Sequence, residues 1–185
     1  FSYEVNPDDP SEYRTPYGWK AFETRQTIIE IKDESPVTLT LRWTDNGPVL
    51  SGSQFDLATV TPPGHVAALA WTALSDADTS FSAGYNINKA TSVQEALAAA
   101  ETYVTPIQNI TLADTQSVAI KTIGALPARA KDHQSMGLIP TLGWIPENRW
   151  RGRLPYSVNP EFIDPKSGIL GNTNNKVVDR DFPNH

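Results

Sequence analysis

Ile107-Gln108-Asn109-Ile110-Thr111-Leu112, then Ala113-Asp114-Thr115-Gln116-Ser117, then Val118-Ala119-Ile120-Lys121-Thr122-Ile123: two apolar, β-branched runs flank a cluster of turn formers, the pattern of an antiparallel hairpin. Helices are expected just before it. Ser92-x-x-Glu95 is a capping box opening a helix over residues 93–103, and Ser75-Asp76-Ala77-Asp78-Thr79 is an acidic, cap-rich start for a helix over residues 81–88. Upstream of these, after Pro62-Pro63-Gly64, residues 66–74 form a nearly continuous apolar run that predicts a strand buried on both faces.

Further towards the start, Thr27-Ile28-Ile29-Glu30-Ile31-Lys32 and Val37-Thr38-Leu39-Thr40-Leu41-Arg42-Trp43 predict a second hairpin. Asp33-Glu34-Ser35-Pro36 separates its strands, and Thr44-Asp45-Asn46-Gly47-Pro48 forms the next turn before a short strand at Val49-Leu50. Residues 1–18 hold so many turn formers that an irregular surface lead-in is expected. Beyond Pro127, the prolines at 140, 146, 155, 160, 165 and 183 interrupt ladders and helices, which predicts a long aromatic coil wrapping over a partner surface. The class is α+β, with a β-rich part over residues 1–65 and a helix and strand part over residues 66–185.

Composition narrows the chemistry. A net charge of −6 with no Lys/Arg cluster argues against a nucleic-acid partner. No apolar run approaches the roughly 20 residues of a membrane span, and no leader opens the sequence, which predicts a soluble, already processed or excised segment. The absence of cysteine excludes disulfides, a thiol nucleophile and thiolate metal sites. His65, His133 and His185 lie too far apart for an H-x-x-x-H zinc site, and there is neither a G-x-S-x-G elbow nor a Gly-rich phosphate loop.

Short motifs, in order, resemble the β-subunit of the penicillin acylase family, which are N-terminal-nucleophile hydrolases. Ala68-Leu69-Ala70-Trp71-Thr72-Ala73-Leu74 is similar to the family's apolar segment ending in R-W-T or A-W-T. Pro106-Ile107-Gln108-Asn109-Ile110-Thr111-Leu112-Ala113-Asp114 resembles its P-x-Q-N-x-x-x-A-D, Gly124-Ala125-Leu126-Pro127-Ala128-Arg129 its G-x-x-P-x-R, and Trp150-Arg151-Gly152-Arg153-Leu154-Pro155 its W-x-G-x-x-P. Asn159-Pro160, Asp164-Pro165-x-x-Gly168 and Asn172-Thr173-Asn174-Asn175 are similar to its closing N-P and A-N-N segments. Each motif is short, and their order and spacing over residues 17–178 carry the likeness. The turn after Ala113-Asp114 departs from the pattern: the family usually has a glycine there.

The resemblance implies an αββα sandwich and acyl-transfer chemistry, in which a serine at a mature N-terminus attacks an amide with its own α-amino group as base. Phe1 has no nucleophilic side chain, so the serine is expected outside this chain, on the remaining parts of the acylase: the α-subunit and the rest of the β-subunit. By resemblance, Asn109 donates its side-chain amide to the oxyanion and Arg129 orients the substrate near it. Asp114 is the candidate ligand of a structural calcium ion, and catalysis is expected to need no cofactor. The plainer alternatives are a strand bulge at Asn109, an ion pair of Arg129 with Asp114 or Asp132, and a turn at Asp114.

Asn174 and Asn175 read as backbone-bonding loop residues lining the site wall or as a tight turn, the structural role being favoured, while Trp144 and Trp150, in coil, are candidates for an acyl pocket. The expected substrates are acyl amides such as β-lactam antibiotics or acyl-homoserine lactones, in a periplasmic or extracellular setting. The rival reading is a catalytically silent β-rich module for binding or assembly.

Overall fold

Tyr3 and Tyr13, both within the stretch expected to be surface loop, are almost wholly buried. The computed structural model describes residues 1–52, 55–175 and 177–178; Pro183 and His185 lie outside the described residues. Its contacts divide the chain into two units, Phe1–Trp71 with Arg129–Arg149, and Thr72–Ala128 with Trp150–His185. The seam falls shortly after the 65/66 division expected from the sequence, and the segment Arg129–Arg149 returns to the first unit.

The first unit is built from strands β1 (Ser2–Glu4), β2 (Glu12–Thr15), β3 (Gly18–Ala21), β4 (Glu23–Ile29), β5 (Val37–Thr44), β6 (Gly47–Pro48) and β7 (His65–Ala67). They pair as β1 with β7, β2 with β3, and β4-β5-β6 in that order. The lead-in is therefore not loop. Its turn formers mark reversals between short strands, and the tyrosines between those turns point into a core of Tyr3, Tyr13, Phe22 and Ala68. The rings of Tyr3 and Tyr13 meet edge to face at 5.0 Å, and Tyr13 lies 4.9 Å from Phe22.

A buried phenol needs a partner, and both have one. Asn46 Nδ2 donates to the Tyr3 hydroxyl at 2.7 Å, and the Asp45 backbone N–H donates to that of Tyr13 at 3.0 Å. Burial pushes each phenol pKa up to about 12.

The β4–β5 hairpin is the one the sequence predicts, with Arg25 opposite Leu41, Thr27 opposite Leu39 and Ile29 opposite Val37. These pairs share one face, and Ile29, Val37, Leu39 and Leu41 on it are each about two-fifths exposed within this chain. The expected buried strand at residues 66–74 is only partly present. The strand ends at Ala67; backbone bonds continue to Ala68, which exchanges bonds with Phe1, and to Leu69, whose N–H donates to the Pro48 carbonyl, and the chain then turns through a 3₁₀ stretch at Thr72–Leu74 with Trp71 and Leu74 half exposed. Apolar composition does not supply the backbone partners that a strand needs.

The returning segment of the first unit has no ladder of its own. It is held by the side-chain amide of Asn148 and by backbone bonds to Ser2. Asn148, fully buried, donates to Gln134 Oε1 and to the Leu142 carbonyl, and accepts from the Gln134 N–H. Ser2 donates its N–H to the Thr141 carbonyl and accepts from Gly143 N–H, which seats Gly143 against the Tyr3 ring.

The second unit carries α1 (Ser80–Lys89), α2 (Val93–Ala99) and the sheet β10-β9-β8, where β8 is Gln108–Ala113, β9 Val118–Ile123 and β10 Glu161–Ile163. The α+β class holds. The capping box forms with a shift: Ser92 Oγ accepts from Glu95 N–H, while the Glu95 carboxylate accepts from the backbone and hydroxyl of Thr91. One face of α2 packs Val93 and Leu97 onto Ala119 and Leu112 of the sheet.

Strand β10 lies where only coil was expected. It is three residues long because Pro160 and Pro165 flank it, and it makes β9 the central strand. The family-like segments at residues 124–128 and 152–154 lie side by side, with Ala128 N–H donating to Gly152 O and Leu154 N–H to Leu126 O.

A Cβ at Gly143 would overlap the immobile Tyr3 ring. Gly143→Ala is therefore expected to lower stability by about 1–3 kcal/mol in urea unfolding. Gly84→Ala, in open space on α1, is expected to raise it by about 0.5–1 kcal/mol. Equal effects of the two would contradict this packing.

Candidate functional site

Asn109 is the second residue of β8, directly opposite Thr122 of β9. Thr122 Oγ1 donates to Asn109 Oδ1 at 2.7 Å, so the carbonyl end of the amide faces the neighbouring strand and the NH2 end faces away from it. On that far side Asn109 Nδ2 makes a long 3.4 Å contact to Asn172 Oδ1, which also accepts from the Asn174 backbone N–H at 3.1 Å. An amide nitrogen has two hydrogens, so a second N–H stays available to an incoming acceptor. Asn109 is half-buried. The bulge alternative does not apply: the β8–β9 register runs unbroken from Gln108↔Ile123 to Ala113↔Val118.

Thr122 is itself held on both sides. Its N–H donates to the Pro160 carbonyl at 2.9 Å, and its carbonyl accepts from the side-chain amide of Asn159, which also donates to Gly124 O. Asn159 is 3% exposed, at the point where the coil reaches β10. Next to Thr122, the Lys121 ammonium is buried against the Tyr156 ring at 4.3 Å and pairs with Glu161 at 3.0 Å. The sequence reading singled out Asn109 but neither Thr122 nor Asn172. The cross-strand partner follows from the hairpin register once the turn length is known, whereas Asn172 is brought in by coil that carries no periodic signal.

Asp114 sits just past the far end of β8, roughly 17 Å from Asn109 at the usual strand rise. Its carboxylate caps α2 by accepting from Val93 N–H at 2.9 Å, and accepts from Gln116 and Ser117 N–H across the turn. These three backbone donors hold its pKa below the ordinary 3.8. A calcium ion needs several oxygen ligands, and N–H dipoles aimed at the same carboxylate oppose a cation. Among the described residues no group of three or more His, Cys, Asp or Glu gathers to hold a metal. The contacts of Asp114 are those of a turn and a helix cap, and a calcium ion there would need further oxygen ligands beside it.

Arg129 belongs to the first unit and Asn109 to the second. The Arg129 guanidinium lies against Gly137, whose φ of +96° and missing Cβ make room for it, and burial lowers its pKa. That turn is organised by His133, whose Nδ1 accepts from the N–H groups of Ser135 and Met136. An accepting Nδ1 requires neutral imidazole, consistent with a pKa lowered first by burial and then by the Arg129 charge.

Trp144 stacks near His65 and under the Arg14 guanidinium at 5.0 Å, an anchoring role. Asn174, at φ 58°, and Asn175, which accepts from the backbone and hydroxyl of Thr173, form the expected tight turn.

The Penicillin amidase family model matches residues 1–185. The chain belongs to the penicillin amidase family. Among its relatives are the acyl-homoserine lactone acylase QuiP of Pseudomonas aeruginosa, 24% identical over 86% of this chain and 19% of that protein, and the penicillin acylase 2 proenzyme of Pseudomonas sp. (strain SE83), 27% identical over 77% of this chain and 17% of that protein. The penicillin G acylase of Escherichia coli is 27% identical over 99% of this chain and 20% of its own length. This penicillin amidase chain thus spans about a fifth of the length of the curated relatives it matches.

The solved thermostable penicillin G acylase from Alcaligenes faecalis shares the fold, with a TM-score of 0.84 at 23% identity, covering all of this chain and 32% of that one. The expected α+β class holds, with the fold of a penicillin G acylase.

A carboxylate whose pKa falls on folding stabilises the fold above its unfolded pKa, and that stabilisation is lost as pH falls through the folded value. Asp114→Asn is therefore expected to lower the urea midpoint near pH 7. The gap to the unaltered chain should close as pH is taken from about 5 towards 2. A gap independent of pH would show that the charge is not what caps α2.

Proposed function

We propose that this chain is a segment of an acylase that hydrolyses linear amide C–N bonds, and that it contributes Asn109 as a side-chain donor to the oxyanion. The orientation of the Asn109 amide carries this reading: Thr122 takes the carbonyl oxygen, which leaves the NH2 end to face an acceptor. When a nucleophile attacks an amide, the carbonyl oxygen becomes an alkoxide, and a fixed neutral donor stabilises it more than the ground-state carbonyl. A strand suits this task because the backbone ladder holds the donor still, with no reorganisation needed at the moment of reaction.

The serine nucleophile and its α-amino base belong to the rest of the polypeptide, as the family likeness implies. The proposed chemistry is complete with nucleophile, base and oxyanion donors, so no cofactor takes part.

The remaining parts of the acylase, the α-subunit and the rest of the β-subunit, are the partners of this segment. In support, one face of the β4–β5 hairpin presents Ile29, Val37, Leu39 and Leu41 uncovered, a stripe that calls for an apolar cover. The substrates proposed are small acyl amides, of the kinds in the names of the relatives: penicillins and acyl-homoserine lactones. We further propose a periplasmic or extracellular setting and a substrate-orienting role for Arg129, in line with the family likeness.

The test is hydrolysis of a panel of chromogenic acyl amides by the full-length protein with and without Asn109→Ala. Turnover is expected to fall by roughly 10²–10³ with folding intact. Equal turnover in both would remove Asn109 from the oxyanion site, and no turnover in either would favour the binding-module reading.

A further inference from the structure

We infer that Thr122 is a positioning residue for the oxyanion donor: its hydroxyl, fixed to the carbonyl end of the Asn109 amide, selects the orientation in which the amide NH2 faces the reacting carbonyl. This rests on the reading of Asn109 given above. A side-chain amide has two ends of nearly equal shape, and rotation by half a turn about its last bond exchanges a donor for an acceptor. An oxyanion facing Oδ1 instead of Nδ2 would be repelled. Something must therefore distinguish the two ends, and on this strand the group within reach is the Thr122 hydroxyl, at 2.7 Å from Oδ1.

The second contact of the amide agrees with the first. Asn172 Oδ1 already accepts from the Asn174 backbone N–H, which identifies it as the oxygen end, so the atom of Asn109 facing it must be the nitrogen.

Thr122 has little freedom to move with its partner. Its N–H and C=O are committed to Pro160 and to the buried Asn159 amide, and it pairs with Asn109 across the β8–β9 ladder. The hydroxyl rotor is then the one adjustable element between a rigid strand and the catalytic amide. A hydroxyl can serve as donor there whereas a methyl cannot, which is why the isosteric replacement separates positioning from packing.

The experiment compares Thr122→Val, Thr122→Ser, Asn109→Ala and the Asn109→Ala/Thr122→Val double variant in the full-length protein, reading kcat and KM on a chromogenic acyl amide together with the thermal midpoint. Thr122→Val is expected to lower kcat about threefold to tenfold with KM little changed, the split of an interaction felt in the transition state. Thr122→Ser should restore most of kcat. The double variant should be no slower than Asn109→Ala alone, because a residue that acts through Asn109 has nothing left to position.

If Asn109→Ala is slow but Thr122→Val keeps full kcat, positioning by Thr122 is overturned while Asn109 keeps its role. If Asn109→Ala itself is unchanged, the oxyanion reading fails and this inference with it. Losses that simply add in the double variant would show Thr122 acting by another route. A Thr122→Val protein with a lowered midpoint is judged by its Ser counterpart: rescue of the midpoint without rescue of kcat overturns the proposal.

Discussion

The β8–β9 ladder is the constraint on which the second unit depends. Its register sets Asn109 opposite Thr122, puts Asp114 at the turn where it caps α2, and gives β9 two edges, so that the returning coil adds β10 to the other side. A slip by one residue would turn Asn109 to the opposite face and exchange the residues that β9 presents on its two faces. Burial on β9 opposes such a slip: Ala119, Ile120, Lys121 and Ile123 are all buried, so both faces of the strand are specified.

The buried Lys121 fits the same logic. An unpaired ammonium at 3% exposure would be costly, and it is kept by Glu161, its cross-strand partner on β10, and by the Tyr156 ring. The Tyr156 hydroxyl in turn donates to the Leu97 carbonyl on α2. Strand β10 is short, yet it supplies the charge that permits β9 to be central. Its residues carry little β-signal between two prolines, and the reason it is a strand at all lies in what it pairs with.

What the sequence reveals follows from this. Both hairpins were legible, because alternating β-branched runs around a polar turn need only local information, and the helices were legible from caps and acidic first turns. Family membership was legible from ordered short motifs. The lead-in was misread because turn formers signal reversals without saying whether strands lie between them, and Tyr3 and Tyr13 owe their burial to Phe22 and Ala68 far along the chain. The apolar run at residues 66–74 was misread for the opposite reason: its composition suits a strand, but composition does not supply ladder partners, and the chain turns at Thr72–Leu74. Of the site, Asn109 could be named from motif alone, whereas Thr122, Asn159 and Asn172 acquire their roles by coming together across 13 to 63 residues of sequence.

Two asparagines, Asn148 in the first unit and Asn159 in the second, tie proline-broken coil to its surroundings through side-chain amides that stand in for missing ladder bonds. A ladder carries register, so adding one residue displaces everything after it; a point attachment carries none. The exposed stretches beside these attachments, around Leu138 and Ile139 and around Ile169, can lengthen or shorten while the tethered residues stay where they are. Such attachments let the exposed coil change by insertion and deletion without disturbing the strands that it is tied to.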